Sequence, residues 1–508
     1  MNVSKRFVKQ TFRNIKVFFA TIIFLTVLPW ILILFLPIYT WRYILGKLNS
    51  TFHPKEGNIL STKSAVFAAD DMYCKPKCPL LVLFLIEGKM SLSKLREKVQ
   101  EDMINKRKVS GDFTYPELQQ CISKWMGFYF WRWDKQFEIK NHVKNYEGSL
   151  RNQVCEEDSL PILVNDLTNQ PFKKGHSPWE IVLLSNVNIK PTREFYFVEG
   201  PEENKPRNQS VIIFRLHHSL ADGISIQHLL MDVAGYAQPD KRVTGNRNRN
   251  ISLINALTFP FRAPFETIGA LLDCNDVNQW HLPESKLTGE FRSAASVPVS
   301  VDFIKEIKNS QDGVTFAGVV LAAVAGGIRN FMIERGIKIP TMIHCLTPLP
   351  MPGHSDKLRN HLTAAAIGLP LGEPTATNRL KAVSKHLKKL KVSAVPQMNY
   401  LFYPIVGGLF PFMAKHLFKH TFTTALLSSF EGPRESMQFL DYVVDDIIFA
   451  GGLLMGNIGM GMTLLSYNGS FRIVFGVDSA ILPKNEDAQE IVKLIYEELF
   501  ILRNLNNV

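Results

Sequence analysis

Phe214-Arg215-Leu216-His217-His218-Ser219-Leu220-Ala221-Asp222-Gly223 is the stretch that decides how this chain is read. A β-type run, Ser210 to Arg215, feeds two adjacent histidines. After Gly223 the apolar residues Ile224, Ile226, Leu229 and Leu230 recur at helical spacing. The pattern predicts a strand, a turn that carries imidazoles, and a helix start. A histidine at such a turn can take a proton from an alcohol near neutral pH, because its unperturbed pKa lies close to that range. Asp222 is expected to pair with a basic residue and hold the turn. Gly223 is expected to permit a backbone path that a side chain would obstruct.

Working outward, Pro79 to Ile86 is a solid apolar strand, and Ser91 to Met103 reads as a helix with Leu92, Leu95 and Val99 on one face. Glu180 to Leu184 and Phe195 to Val198 are strand-like, and the charged segment Glu199 to Asn208 reads as a hairpin loop. Gln238 to Asn250 is polar and basic without apolar periodicity, which suits a lobe boundary. Ile251 to Leu272 is either a helix packed across both lobes or an amphipathic piece lying on a membrane.

Beyond it the same style repeats. Val297 to Val301, Met342 to Thr347 and Leu362 to Leu369 are strand-like, as are Val443 to Phe449, Gly459 to Ser466 and Arg472 to Val477. Val314 to Glu334 is a helix rich in Ala and Gly, as close helix packing requires. Ala376 to Lys391 is a helix whose lysines read as a solvated face, or as a surface for phosphates or lipid headgroups. A last helix runs from Glu486 to Leu505. A chain of 508 residues is too long for one ordinary core, so two large lobes are expected.

The 58 basic and 46 acidic residues give a net charge of +12, spread along the chain rather than gathered into a stripe. No nucleic-acid partner is expected; a basic surface on anionic lipid fits better. Cys74 and Cys78 lie close, but no second pair completes a zinc site, and no metal is expected. The other four cysteines, Cys121, Cys155, Cys274 and Cys345, are scattered and suggest a reducing compartment. Val17 to Trp41 holds no charged residue and is long enough to cross a bilayer, which needs about 20 apolar residues. Pro29 and Pro37 interrupt it, so a kinked span and a re-entrant hairpin turning near Pro29 both remain open. Tyr400 to Met413 is apolar, too short for a straight span, and followed by Lys415, His416, Lys419 and His420. It reads as a buried segment or an interfacial patch. The predicted division is a membrane anchor at 1–50, an N-terminal lobe at 51–240, a crossover at 241–290 and a C-terminal lobe at 291–508.

Seven segments in order carry a resemblance. They are the HHxxxDG set at His217 to Gly223, Phe137-Glu138-Ile139 with His142-Val143, Pro178-Trp179-Glu180, Thr315 to Arg329, Asn360 before an apolar strand, Ser429 to Pro433, and Leu464 to Gly469. Together they resemble the wax ester synthase/diacylglycerol acyltransferase family of HHxxxDG CoA-dependent acyltransferases. The matching segments of that family read FDxxxHV, PLWE, TVNDVVLAxVAGALR, GNRF, SNVPGP and LSYNG. The chain departs from the pattern at Ala317-Gly318 in place of Asn-Asp, at Arg359 and His361 beside Asn360, and at Ser429 in place of Asn.

The resemblance implies an α/β fold of two chloramphenicol-acetyltransferase-like lobes with mixed sheets and flanking helices, here with an N-terminal membrane helix or hairpin. It implies a membrane-bound O-acyltransferase that moves a long-chain acyl group from acyl-CoA to a fatty alcohol or diacylglycerol. His218 would be the general base and His217 its support. Asn360 and Ser429 are candidate oxyanion donors, and Pro178 and Trp179 candidate substrate contacts. The only cofactor-like partner is acyl-CoA, as co-substrate, and the acceptor would come from membrane lipid. An endoplasmic-reticulum membrane with the lobes facing the cytosol is expected. The changed C-terminal motifs leave an alternative, an inactive lipid- or acyl-CoA-binding protein of the same fold.

Overall fold

The run from Pro79 to Ile86 has no polar face, so a strand made of it must be covered on both sides. The computed structural model describes residues 3–53, 55–150, 159–189, 207–235, 253–354 and 357–505. In chain order its strands up to the histidine turn are β1 (Pro79–Glu87), β2 (Gln120–Trp125), β3 (Phe128–Trp133), β4 (Val143–Asn145), β5 (Trp179–Ile189) and β6 (Arg207–His217). After the turn come β7 (Phe291–Ala295), β8 (Val299–Ser300), β9 (Ile343–Pro350), β10 (Leu362–Leu369), β11 (Ala425–Glu431), β12 (Gln438–Phe439), β13 (Tyr442–Gly451), β14 (Met460–Tyr467) and β15 (Ser470–Asp478).

The first sheet has the order β12-β13-β1-β6-β5-β4. β1 lies antiparallel between β13 and β6, with Pro79 opposite His217. Alternation sends Leu81, Leu83 and Leu85 into one core with Val211 and Ile213. Val82, Phe84 and Ile86 enter another with Phe214 and Ile226. Both faces are therefore dry, as the unbroken apolar run requires.

The second sheet has the order β10-β9-β11-β14-β15-β7, with β8 on β15. The helices Phe316–Glu334 and Asn485–Asn504 share its core. Their close approach needs small residues, since a methyl group at Gly327 would lie 2.6 Å from Cγ1 of Ile495.

The chain does not split sequentially into the two sheets. β12 and β13 fall between β11 and β14 in sequence, yet they complete the first sheet. The predicted assignment of all of 291–508 to a C-terminal lobe is corrected accordingly. β1 would otherwise present an unpaired edge, and β13 covers it with the buried residues Val444, Ile448 and Ala450. The predicted strand at 195–198, most of the loop at 199–208 and the boundary segment at 238–250 (its first lobe-side residues included) lie outside the described residues.

The N-terminal segment forms one helix, Val3–Phe52, that runs through Pro29 and Pro37. Of the two alternatives left open, the hairpin near Pro29 does not form. Each proline removes one backbone bond from the ladder, and the apolar helix formers on both sides keep the rest. The helix lies along the body over most of its length. Arg13 Nε donates to Asp273 at 2.6 Å, Tyr39 donates to the Ile405 carbonyl at 3.0 Å, and Asn49 Nδ2 donates to the Gly57 carbonyl at 2.6 Å. Its other face, with Phe18, Trp30, Leu34 and Leu36, is exposed. The helix Leu253–Asp273 packs between this helix and the helix Val395–Gly407, where Ala263, Phe24, Met398 and Phe402 meet. The Tyr400 to Met413 stretch is divided between Val395–Gly407 and a second helix, Pro411–Phe418.

Candidate active site

The β6 strand ends at His217, and the next residue leaves the sheet. The His218 amide donates to the Cys78 carbonyl at 2.9 Å, which ties the turn to the start of β1. The imidazole of His218 stacks on Phe67 with ring centroids 3.9 Å apart and planes 10° apart. Its Nδ1–H donates to Asn360 Oδ1 at 2.8 Å. That bond fixes the tautomer, because an amide oxygen can only accept, and it leaves Nε2 with a free lone pair. His218 is 8% exposed and lines an apolar chamber with Leu80, Leu346, Leu362, Phe418 and Phe449. Burial drives its pKa down to about 4, so the ring is neutral at physiological pH.

Asn360 stands between β9 and β10 and crosses from the second half of the chain to the histidine. Its Nδ2 donates to the His218 carbonyl at 2.7 Å and to Ser64 Oγ at 3.2 Å. Both amide hydrogens are engaged, so the predicted oxyanion-donor role is corrected: Asn360 orients His218. Ser429 is corrected as well. It is exposed, whereas its neighbour Ser428 is buried and lines the chamber, because successive β11 residues face opposite ways.

His217 points away from the chamber and is fully buried. Nδ1 accepts from the Ser219 amide at 3.2 Å, so Nε2–H donates to Asp70 Oδ2 at 3.1 Å. The same carboxylate accepts from the Lys77 and Cys78 amides at 2.8 and 3.0 Å. Burial pushes the Asp70 carboxyl up, but the hydrogen bonds from His217 and the two amides outweigh it and hold it below the usual range. Asp70 was not legible from any motif, yet it links His217 to the strand that carries the His218 backbone contact.

Asp222 caps the helix Gly223–Val233 by accepting from Ser225 N at 2.9 Å. It also accepts from His361 N at 2.6 Å and from His354 Nε2 at 3.0 Å. These contacts pin the loop that carries Asn360. Burial raises its carboxyl, and His354 with the two amides lowers it further, so it stays charged. Gly223 is not in the left-handed region; a Cβ there would lie 2.2 Å from the Phe430 ring. The close approach of β11, rather than an unusual backbone path, accounts for the glycine.

Pro178 and Trp179 do not line the chamber, which corrects the predicted substrate contacts. The Pro178 carbonyl accepts from His217 N at 2.9 Å. Trp179 is buried, donates through Nε1 to the Leu118 carbonyl at 2.8 Å and stacks on His142. They build the floor of the turn. Among the described residues, metal-type side chains come together at Asp70, Cys78 and His217 and at Asp134, His142 and His176. The first set is held by hydrogen bonds, and burial keeps the Cys78 thiol protonated. In the second, His176 Nδ1 pairs with Asp134 at 2.7 Å and His142 Nδ1 with the Trp179 carbonyl at 2.8 Å.

A neutral imidazole with one nitrogen held and one directed at a dry chamber between two lobes is equipped to remove a proton from a hydroxyl. Comparison with known proteins bears on the fold and the family resemblance. A family model described as the WS/DGAT C-terminal domain matches residues 358–503. A Mycobacterium tuberculosis H37Rv protein named as a probable diacylglycerol O-acyltransferase is 24% identical over 367 residues, covering 66% of this chain and 74% of its own length. A second protein, from M. tuberculosis CDC 1551 and named for the same activity, is 23% identical over 318 residues and 56% of this chain; there the chain spans 62% of the relative's length. Two solved structures share the fold. They are the wax ester synthase/diacylglycerol acyltransferase from Marinobacter aquaeolei VT8 (TM-score 0.56, 16% identity, 89% of this chain and 100% of that one) and a trichothecene 15-O-acetyltransferase from Fusarium sporotrichioides (TM-score 0.58, 14% identity, 88% and 95%). The fold, the ordered motifs and the family model over residues 358–503 make this chain similar to the wax ester synthase/diacylglycerol acyltransferase family.

Proposed function

We propose that this protein is an acyl-CoA-dependent O-acyltransferase whose acceptor is a long-chain alcohol or a diacylglycerol. The observation that carries the proposal is the His218–Asn360 pair at the wall of an apolar chamber. The acceptor hydroxyl gives its proton to Nε2 of His218 while its oxygen attacks the thioester carbonyl. The tetrahedral oxyanion collapses, the carbon–sulfur bond breaks, and the CoA thiolate takes the proton back from Nε2. Asn360 Oδ1 accepts from Nδ1–H throughout and steadies the imidazolium that forms in between. Ser428, which lines the chamber, is our candidate donor to the oxyanion. A second apolar cavity adjoins the chamber at Phe449 and runs beside Gly223, Gln227 and Pro433, which suits the acyl-CoA side.

The exposed apolar face of the helix Val3–Phe52 suits a membrane association. The helix is docked on the body at both ends, so a helix lying along the bilayer surface fits better than one that crosses it. We place the protein at the endoplasmic reticulum with its lobes on the cytosolic side, where acyl-CoA is held. The cysteines at 74, 78, 121, 274 and 345 are free thiols, in keeping with that side.

The test is transfer of labelled acyl groups from acyl-CoA in membranes that carry wild type or His218→Ala. The variant should lose at least about a hundredfold in kcat. The wild-type rate should hold down to mildly acidic pH and fall towards pH 4, because the ring stays in its basic form until that pH. Near-wild-type transfer by His218→Ala would refute the mechanism.

A further inference from the structure

The helix Ala376–Val392 turns one basic face to solvent. Its inner side, with Leu380, Val383 and the Arg379–Glu498 ion pair, packs into the core of the second sheet. On its outer side Lys381, Lys385, Lys388 and Lys389 recur at intervals of three and four residues, which stacks them on one face. All four are exposed, and so is Lys391. The helix contains no acidic residue. Among the described residues, none of these five lysines forms an ion pair.

Such a row works against the free protein. Like charges three and four residues apart on a helix repel, and a merely solvated face ordinarily mixes signs. The helix Val301–Asn309 does so: its Lys305 pairs with Asp302 at 2.7 Å and its Glu306 with Arg503 at 3.1 Å. The negative end of the helix dipole favours Lys389 and Lys391, which stand in the last turn, but it does nothing for Lys381 and Lys385. An anionic partner along the whole row removes the repulsion.

The row also has a direction. Four residues after Lys388, on the same face, stands Val392, which is 68% exposed. The next two residues bind the helix Leu253–Asp273. Ser393 Oγ donates to Glu266 Oε2 at 2.8 Å and the Ala394 amide donates to the same oxygen at 2.6 Å. That helix exposes Leu257, Phe261 and Leu272, and the helix Val395–Gly407 exposes Leu401. The basic face therefore leads into an apolar flank. The acids of the adjoining helix do not cancel it: Glu266 is engaged by Ser393 and Ala394, and Asp273 by Arg13. Basic side chains beside exposed apolar ones match the boundary between headgroups and acyl chains of an anionic bilayer.

We propose that this lysine row docks on a membrane surface rich in anionic phospholipid, with the lysines on the headgroups and the adjoining apolar side chains in the acyl boundary. The proposal rests on the membrane association given above and adds lipid charge as its determinant.

The experiment is flotation of the full-length protein with vesicles of phosphatidylcholine alone and of phosphatidylcholine and phosphatidylserine at about three to one, a surface charged enough to attract lysines. Wild type should favour the mixed vesicles by about tenfold or more, since each lysine near an anionic surface is worth about fivefold in partitioning. High salt should erase that preference. The triple variant Lys381→Gln, Lys385→Gln, Lys388→Gln should lose about tenfold or more on the mixed vesicles and bind pure phosphatidylcholine as wild type does. Its melting temperature should not fall, because the substitutions relieve repulsion on an exposed face. Equal binding of wild type to both vesicles, or undiminished binding of the triple variant to the mixed ones, would overturn the lysine contact and leave the association through the helix Val3–Phe52 standing. A raised KM for acyl-CoA in neutral detergent micelles, with vesicle binding unchanged, would also overturn it and give the lysines to CoA phosphates. Failure of wild type to float with either vesicle would refute the membrane association itself.

Discussion

At the scale of single residues, the turn depends on groups that reach it from distant parts of the chain. Asn360 holds the tautomer of His218 and also binds its carbonyl. Asn360→Ala should therefore lower kcat by about tenfold to a hundredfold with a smaller change in KM, and cost about 1–3 kcal/mol of stability through the unpaired His218 groups. Steady-state kinetics and thermal melts check both. Asp222 makes a different case. Its folded pKa lies below the unfolded value of about 3.9, so it contributes stability above that pH and loses it as pH falls through the folded value. Asp222→Asn should cost about 3 kcal/mol at pH 7 by breaking the buried pair with His354, and should flatten the acid limb of the stability curve. Melts between neutral pH and pH 3 that keep the wild-type acid limb would contradict this. His218 and Asp222 were legible as a motif; Asp70, Ser64, Phe67 and His354 were not. They lie far away in sequence and belong to no periodic pattern, so only their meeting in space marks them.

At the scale of elements, the helix Gly223–Val233 and strand β11 set the distance between the two halves at the site. Gly223 allows the Phe430 ring to lie against the start of the helix. Gly223→Ala should push Phe430 aside, cost about 1–3 kcal/mol through overpacking, and slow acyl transfer by disturbing the cavity on the acyl-CoA side. A variant with wild-type melting temperature and rate would show that β11 can yield. Strands and helices were readable where their periodicity was plain, as in β1 and Phe316–Glu334. The chamber face of β11 was not readable, because Ser428 and Ser429 are chemically alike and only the strand's orientation chooses between them. The PLWE-like segment misled for a related reason. Buried aromatic residues look the same in sequence whether they line a core or a pocket.

At the scale of the whole molecule, the N-terminal helix presents one face to the body and the other outward. Trp30 and Leu34 are 70% and 72% exposed and make no packing contact that folding needs. Replacing both with glutamate should leave the melting temperature within about 1 °C, since exposed substitutions change stability little. The same change should release most of the protein from vesicles in a flotation assay, because it puts charge on the proposed bilayer face. Residual binding through the helices Leu253–Asp273 and Val395–Gly407 should persist and, where it depends on basic residues, weaken in high salt. Undiminished flotation of the double variant would show that this face is not the membrane contact.

The sequence alone determined the strand, turn and helix start around His217 and His218, the α/β character of both halves and the apolar N-terminal helix. Each is written in local terms: residue type, spacing and the length of an uncharged run. Tertiary structure alone decided that β12 and β13 return to the first sheet, that Asn360 faces His218 rather than an oxyanion, and that the long helix lies on the body. These depend on pairing and packing between residues hundreds of positions apart, where any apolar strand can cover an open edge and any amide can serve several partners. The choice among them is made by the geometry of the folded whole, which no short stretch of sequence contains.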